Sequence, residues 1–287
     1  MRPRWNRLCG WLRDDAKVQR RRRVEGRLDE GVRVTLRREP VLGFPVAAAS
    51  LESCLDELAQ LGGASSRPVV LACANPHSLV IARKEPTFRA ALLAADLLIP
   101  DGVGIVLASR LTRGEIRERV TGTDIFLGFN RRVELGGLPR RAFFLGSTVE
   151  TLDAIRVKMA LEFPGVELVG TYSPPFRESF TEEDDDAMVE AVNAARSEVL
   201  WVGMTAPKQE MLIARIRDRV DVRFIGAVGA VFDFFSERVE RSHPAWQGAG
   251  LEWLPRLVRQ PRRLWRRTFV SAPHFLWLVL TSGRRPH

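Results

Sequence analysis

Pro68-Val-Val-Leu-Ala-Cys-Ala-Asn75, followed some twenty residues on by Leu97-Leu-Ile-Pro-Asp101-Gly102, decides the fold. Each is a short apolar run that stops at a polar residue. A run that is apolar at every position is what a strand buried on both faces requires. Between them, Pro86–Ala95 reads as a helix with proline in its first turn. Similar runs recur downstream at Ala142–Leu145, Val166–Val169, Val199–Val202 and Arg223–Ile225, separated by helical stretches. Upstream, Leu51, Leu55, Leu58 and Leu61 fall at helical spacing over 50–61. Thr181, with Asp184 three residues on, forms a capping-box start for a helix through Asn193. This alternation predicts an α/β body over 41–237, a mainly parallel sheet with helices on both faces.

The 287 residues are 45% hydrophobic and 28% charged, which excludes disordered, collagenous and disulfide-framed classes. Charge is segregated along the chain. Residues 1–40 carry 13 basic and 6 acidic side chains, a net +7, and residues 238–287 carry 10 and 2, a net +8. The body between them is acidic, with 21 basic and 27 acidic residues, a net −6. Basic ends on an acidic body argue against a nucleic-acid groove through the fold and for contact with an anionic surface at its periphery. The arm 1–40, with its Arg20–Arg23 block, is expected to be solvated or disordered. Cys9, Cys54 and Cys73 have no metal-type spacing, which suits a reducing compartment and predicts neither a zinc site nor a disulfide frame. The basic start is not followed by an apolar stretch of about 7–15 residues, so no secretory signal is expected. No apolar run reaches the roughly 18 residues of a membrane span.

In a parallel sheet, ligands bind at the carboxyl ends of strands. Four such ends carry small residues, amides and charges: Asn75-Pro-His77-Ser78, Asp101-Gly102-Val-Gly104, Gly203 through Lys208-Gln209-Glu210, and Gly226 through Gly229 to Asp233. Glycine there lets backbone amides approach a phosphate, which points to a nucleotide or another phosphorylated ligand. Neither a GxGxxG fingerprint nor a Walker sequence is present, which disfavours a nicotinamide or flavin oxidoreductase. Asp101 has two readings, a general base in a cleft or a helix N-cap. Arg119 has two as well, a diphosphate partner or a surface ion-pair residue. Thr123-Asp124 reads as a helix cap. Asp184-Asp185-Asp186 formally contains the Asp-x-Asp of some metal sites, but its place at a helix start is explained by the helix dipole. The four histidines share no metal spacing.

Near the C-terminus, Arg256, Arg259, Arg262, Arg263, Arg266 and Arg267 alternate with Trp253, Leu254, Leu257, Val258, Leu264, Trp265 and Phe269. On a helix this makes an apolar stripe flanked by arginines, the pattern of a segment lying in a membrane interface. Phe269–Leu280 is apolar, interrupted by Pro273 and His274, and too short to span. Residues 238–287 are thus expected to form a helical, membrane-associating appendage.

Four ordered blocks carry a family resemblance. They are Asn75 with Ala95-Asp-Leu-Leu-Ile-Pro-Asp101-Gly102-Val-Gly104, then Glu118-Arg119-Val-Thr-Gly-Thr123-Asp124, then Val202-Gly203 with Ala206-Pro-Lys-Gln209-Glu210, and Gly229-Ala-Val-Phe-Asp233-Phe with Gly250-Leu-Glu-Trp253-Leu-Pro-Arg256 and Pro261-Arg262-Arg263 through Arg267. Over Val41 to about Arg267 the chain resembles the WecG/TagA/CpsF family of bacterial glycosyltransferases. The resemblance implies a Rossmann-like body and an inverting, metal-independent transfer of a sugar, often N-acetylmannosamine, from a UDP-sugar to an undecaprenyl-diphosphate-linked sugar. It implies Asp101 as general base beside Gly102. Asn75, Cys73, Thr123, Asp124 and Gln209 would line the pocket, and Arg119 would stabilise the diphosphate leaving group. The C-terminal arginines would meet the lipid diphosphate or the leaflet.

Cys73 departs from the family, where threonine is common two residues before the asparagine; a thiol hydrogen-bonds a substrate poorly. The donor sugar is therefore left as N-acetylmannosamine or another hexose. The expected setting is the cytoplasmic face of the cell membrane, in exopolysaccharide, teichoic-acid or related glycan assembly. No cofactor and no nucleic-acid partner are expected, and a homo-oligomer is compatible with the sequence. The alternative is a non-enzymatic polyanion-binding protein that uses both basic ends.

Overall fold

The structure, a computed structural model, describes residues 34–64, 67–136, 138–236 and 270–282. The arm before Val34 and the arginines Arg256, Arg259, Arg262, Arg263, Arg266 and Arg267 lie outside the described residues. The described chain is an α/β fold built on one eight-stranded sheet. In chain order the strands are β1 (Arg38–Val41), β2 (Phe44–Ala47), β3 (Val69–Ala74), β4 (Leu97–Pro100), β5 (Arg141–Gly146), β6 (Glu167–Tyr172), β7 (Val199–Gly203) and β8 (Phe224–Ala227). Their order across the sheet is β1-β2-β4-β3-β8-β7-β5-β6, and every pairing is parallel except β1 with β2.

The antiparallel edge is a tight hairpin. Val41 faces Phe44 across a two-residue turn in which Leu42 (φ 52°) and Gly43 (φ 81°) both take positive φ, as a type I′ turn demands. Its first strand starts at Arg38, within the stretch that composition alone groups with the basic arm. Composition averages over tens of residues and does not register a four-residue strand.

Alternation along β3 explains its continuous apolar sequence. Val70, Ala72 and Ala74 join one core cluster and Val69 and Leu71 the other, because successive side chains leave opposite faces of the sheet. Against the first face pack α2 (Pro76–Ala82), α3 (Pro86–Leu93), α4 (Val103–Leu111), α7 (Glu182–Ala194), α8 (Lys208–Ile216) and α10 (Ala272–Ser282), through residues such as Leu79, Phe88, Ile105, Met188, Leu212 and Phe275. Against the second pack α1 (Leu51–Ala64), α5 (Gly122–Glu134), α6 (Val149–Glu162) and α9 (Val231–Phe235), through Leu55, Phe126, Ile155 and Phe232. Trp201 sits fully buried in an aromatic cluster, its ring centroid 5.1 Å from Phe126, 5.4 Å from Phe129 and 5.3 Å from Phe224. Edge-on pairs of this kind add about 0.5–1.5 kcal/mol each beyond area burial.

Two glycines at strand ends serve this packing. A Cβ at Gly226 would come within 2.3 Å of the Trp201 ring, and one at Gly203 within 2.2 Å of Phe232. At both positions the neighbouring aromatic ring is by itself a reason for glycine.

The interruption expected at Pro273 and His274 is absent. A π-helical turn at Val270–Ser271 leads directly into α10, which runs from Ala272 through Pro273 and His274 to Ser282. Phe275 and Val279 are buried against α2 and α4, so this part of the appendage is docked on the body.

Candidate active site

Strands β4, β3, β8 and β7 are consecutive and parallel, so their carboxyl ends open on the same edge of the sheet. Four polar blocks that are far apart in sequence are thereby brought side by side.

Asp101 follows β4 directly. Its backbone N–H donates to Ala74 O at 2.8 Å and Ile99 O at 3.0 Å, which ties it to the last residue of β3. The N-cap of α4 is Gly102 (φ 103°, ψ 142°), and no side chain caps that helix. The capping reading of Asp101 is thus excluded: a positive-φ glycine makes the turn, and the carboxylate stands one residue outside the helix at the sheet edge. A Cβ at Gly102 would meet only the Pro76 ring, at 3.8 Å, so backbone conformation rather than crowding favours glycine there.

Asn75 follows β3 and caps α2. Its Oδ1 accepts from Ser78 N at 2.9 Å, while Ser78 Oγ accepts from Asn75 N at 3.0 Å and donates to Asn75 O at 2.9 Å. The capping box fixes the amide beside Asp101 and uses its oxygen. Two residues earlier, the Cys73 thiol donates to Ala227 O at 3.6 Å, and a Cβ at Gly122 would come 3.3 Å from its sulfur. Burial pushes this thiol well above its ordinary range, helped by the nearby carboxylates of Asp101, Glu210 and, more weakly, Asp124. Cys73 therefore marks the point where β3, β8 and the start of α5 converge around a group of acidic side chains.

The loop before α5 is pinned to the same edge, since Val120 N donates to Pro100 O at 3.1 Å. Half-buried Arg119 is carried by this loop, beside the Pro100–Asp101 junction. The helix cap is Thr121, not Thr123-Asp124. Asp124 N donates to Thr121 Oγ1 at 3.2 Å, and Asp124 Oδ2 accepts from Thr121 N at 3.1 Å and Thr121 Oγ1 at 2.7 Å. The sequence alone puts the cap at Thr123-Asp124; the register of the box, cap to third residue, sets it at Thr121 with Asp124 as its partner. Thr123 lies half-buried in the first turn.

Gln209 is buried at the start of α8. Its Oε1 accepts from Gly229 N at 3.0 Å and Met204 N at 3.4 Å, and its Nε2 donates to Glu210 Oε1 at 2.9 Å. It clamps the β7 and β8 loops together. Buried Glu210 was overlooked as a site residue; the signal was an acid within two turns of a strand end, indistinguishable in sequence from the surface acids of other helices. The neighbouring Lys208 is committed elsewhere, with its ammonium donating to Arg177 O at 2.5 Å and lying 3.8 Å over the Phe180 ring. His77, which the sequence places at the same strand end, has its Nδ1 2.8 Å from Ser271 Oγ and so joins the residue before α10 to this edge.

Asp184-Asp185-Asp186 is engaged as a helix start. Asp184 completes the Thr181 capping box and pairs with Arg177, Asp185 pairs with Arg215, and Asp186 with Arg219. Among the described residues, no three metal-ligating side chains converge.

A carboxylate, amides and an arginine-bearing loop thus gather at one edge of a parallel α/β sheet, and the comparisons with known proteins give the class of enzyme. Residues 39–287 match the glycosyl transferase WecG/TagA/CpsF family, and the chain belongs to it. Over 217 residues it is 29% identical to the N-acetylglucosaminyldiphosphoundecaprenol N-acetyl-beta-D-mannosaminyltransferase of Bacillus spizizenii, covering 75% of this chain and 80% of that protein. The chain is accordingly a hexosyltransferase.

Proposed function

We propose that the protein transfers a sugar, N-acetylmannosamine or another hexose, from a UDP-sugar to an undecaprenyl-diphosphate-linked sugar, with inversion, at the cytoplasmic face of the cell membrane. The observation that carries this reading is the placement of Asp101 beside Asn75, Cys73 and the Arg119 loop at the joined carboxyl ends of β3 and β4. The likeness to an enzyme named for a diphosphoundecaprenol acceptor supports the lipid-linked substrate.

In this mechanism an acceptor hydroxyl oxygen attacks the anomeric carbon from the face opposite UDP. Its proton passes to the Asp101 carboxylate as the new glycosidic bond forms. The bond from the anomeric carbon to the diphosphate oxygen breaks, and its electron pair leaves with UDP. Arg119 meets the charge that develops on the diphosphate, a stabilisation worth most in a site shielded from water. Asn75 and the Gln209 clamp hold the pocket around the sugar. Transfer proceeds without a metal ion.

Asp101→Asn tests the role of the base. The amide keeps the shape but accepts no proton, so kcat is expected to fall roughly 10²–10⁴-fold with UDP-sugar affinity little changed, as general bases typically contribute. Turnover near that of the wild type would remove Asp101 from the mechanism.

A further inference from the structure

Helix α4 buries Ile105, Val106, Ala108 and Ser109 against the sheet and turns Val103, Leu107 and Leu111 outward at i, i+4 and i+8. Helix α10 packs beside it through Phe275 and Val279 and turns Val270 (just before its start), Trp277 and Leu280 outward. These six side chains are 42–59% exposed. Neither helix contains an acidic residue, and α10 contains no charged residue at all. Arg110 and Arg113 are exposed at the far end of α4. Two exposed apolar residues on another helix have a different setting. Val157 and Leu161 of α6 are interleaved with Asp153, Arg156, Lys158 and Glu162, an ordinary solvated surface.

The position of the two stripes is as telling as their composition. The α4 stripe begins two residues after Asp101, and α10 begins where Ser271 meets His77 at the rim of the site. The chain enters α10 directly from the arginine-rich stretch that ends at Arg267. A paired apolar face without acids, edged by arginine and carrying an outward tryptophan, has the chemistry of a surface resting in an anionic lipid headgroup layer.

We propose that the outward faces of α4, on the catalytic body, and of α10, in the docked part of the appendage, together form a membrane-docking surface, separate from the arginine-rich segment, that sets the Asp101 edge against the bilayer. The proposal rests on the reading above that the acceptor is lipid-linked. Docking here presents the base to a sugar that protrudes only a short distance from the headgroups, so the body does not have to be held at the membrane by its C-terminal tether alone.

The test is the double variant Leu107→Glu/Leu111→Glu, with Leu161→Glu as a matched exposed control. Binding is measured by co-sedimentation with vesicles of phosphatidylglycerol and phosphatidylethanolamine. Turnover is measured both with a short-chain, water-soluble diphosphate-sugar acceptor and with the long-chain acceptor in those vesicles. Removing two leucines from an apolar contact is expected to weaken vesicle binding about tenfold or more. Long-chain turnover should fall in parallel, while short-chain turnover and the control variant stay unchanged. Undiminished vesicle binding by the double variant overturns the surface. So does an outcome in which the variant only dissociates an oligomer, which would assign the face to a second copy of the chain. Absence of transfer by the wild type to either acceptor defeats the functional reading instead, and leaves the vesicle result to stand or fall by itself.

Discussion

Cys73 shows how closely the site is drawn around one residue. Its thiol is held protonated by burial and by Asp101 and Glu210, and Cys54 is pushed up to about 12 by burial with Glu118 and Glu57. In both cases the folded state favours the protonated form. The associated stability is therefore complete below the unfolded thiol value of about 8.5 and is lost as pH rises from there through the folded values. Two outcomes are expected. Iodoacetamide at pH 8 should spare both thiols in the native protein, and the melting temperature should fall on going above pH 9, less steeply in Cys54→Ser. Rapid alkylation of Cys73 at pH 8 would show that the folded protein does not hold this thiol protonated. At this scale the grouping of the candidate residues was legible: Asp101, Asn75, Cys73 and the loop that carries Arg119 lie along one edge. What the sequence concealed was which polar atoms are already spent. Asn75 Oδ1 and Thr121 Oγ1 serve caps, and Gln209 is a buried clamp. Each role depends on a partner whose position the fold decides.

Among the elements, apolar runs identified the core strands because parallel strands covered on both faces have no polar positions to obscure them. Two elements were misread for local reasons. The Leu42-Gly43 turn is a weak signal, since leucine seldom takes positive φ and the strand before it lies in arginine-rich sequence. Pro273 reads as a break, yet helical backbone runs on both sides of it, with the irregularity confined to the π turn at Val270–Ser271. The docking of α10 gives a direct check. Phe275 is fully buried, so Phe275→Ala is expected to cost about 3–5 kcal/mol in denaturant unfolding, as large-to-small core changes do. A cost below about 1 kcal/mol, the level of a surface change, would mean that the helix is not packed on the body in solution.

The whole molecule joins an acidic catalytic body to basic ends, and the sheet order places its chemistry at one edge. Adjacent positions for β4, β3, β8 and β7 turn four separate polar blocks into one site, an arrangement that strand spacing in the sequence leaves undetermined. Among the described residues no helix is long and apolar enough to cross a membrane; the proposed membrane contact uses the outward faces of α4 and α10 instead. The most direct test of the account is release of UDP from a panel of UDP-sugars, with and without an undecaprenyl-diphosphate-linked N-acetylglucosamine acceptor and with EDTA present. The account predicts release with one donor, dependent on the acceptor and undiminished by EDTA. No release with any donor, or release at the same rate without the acceptor, would contradict it.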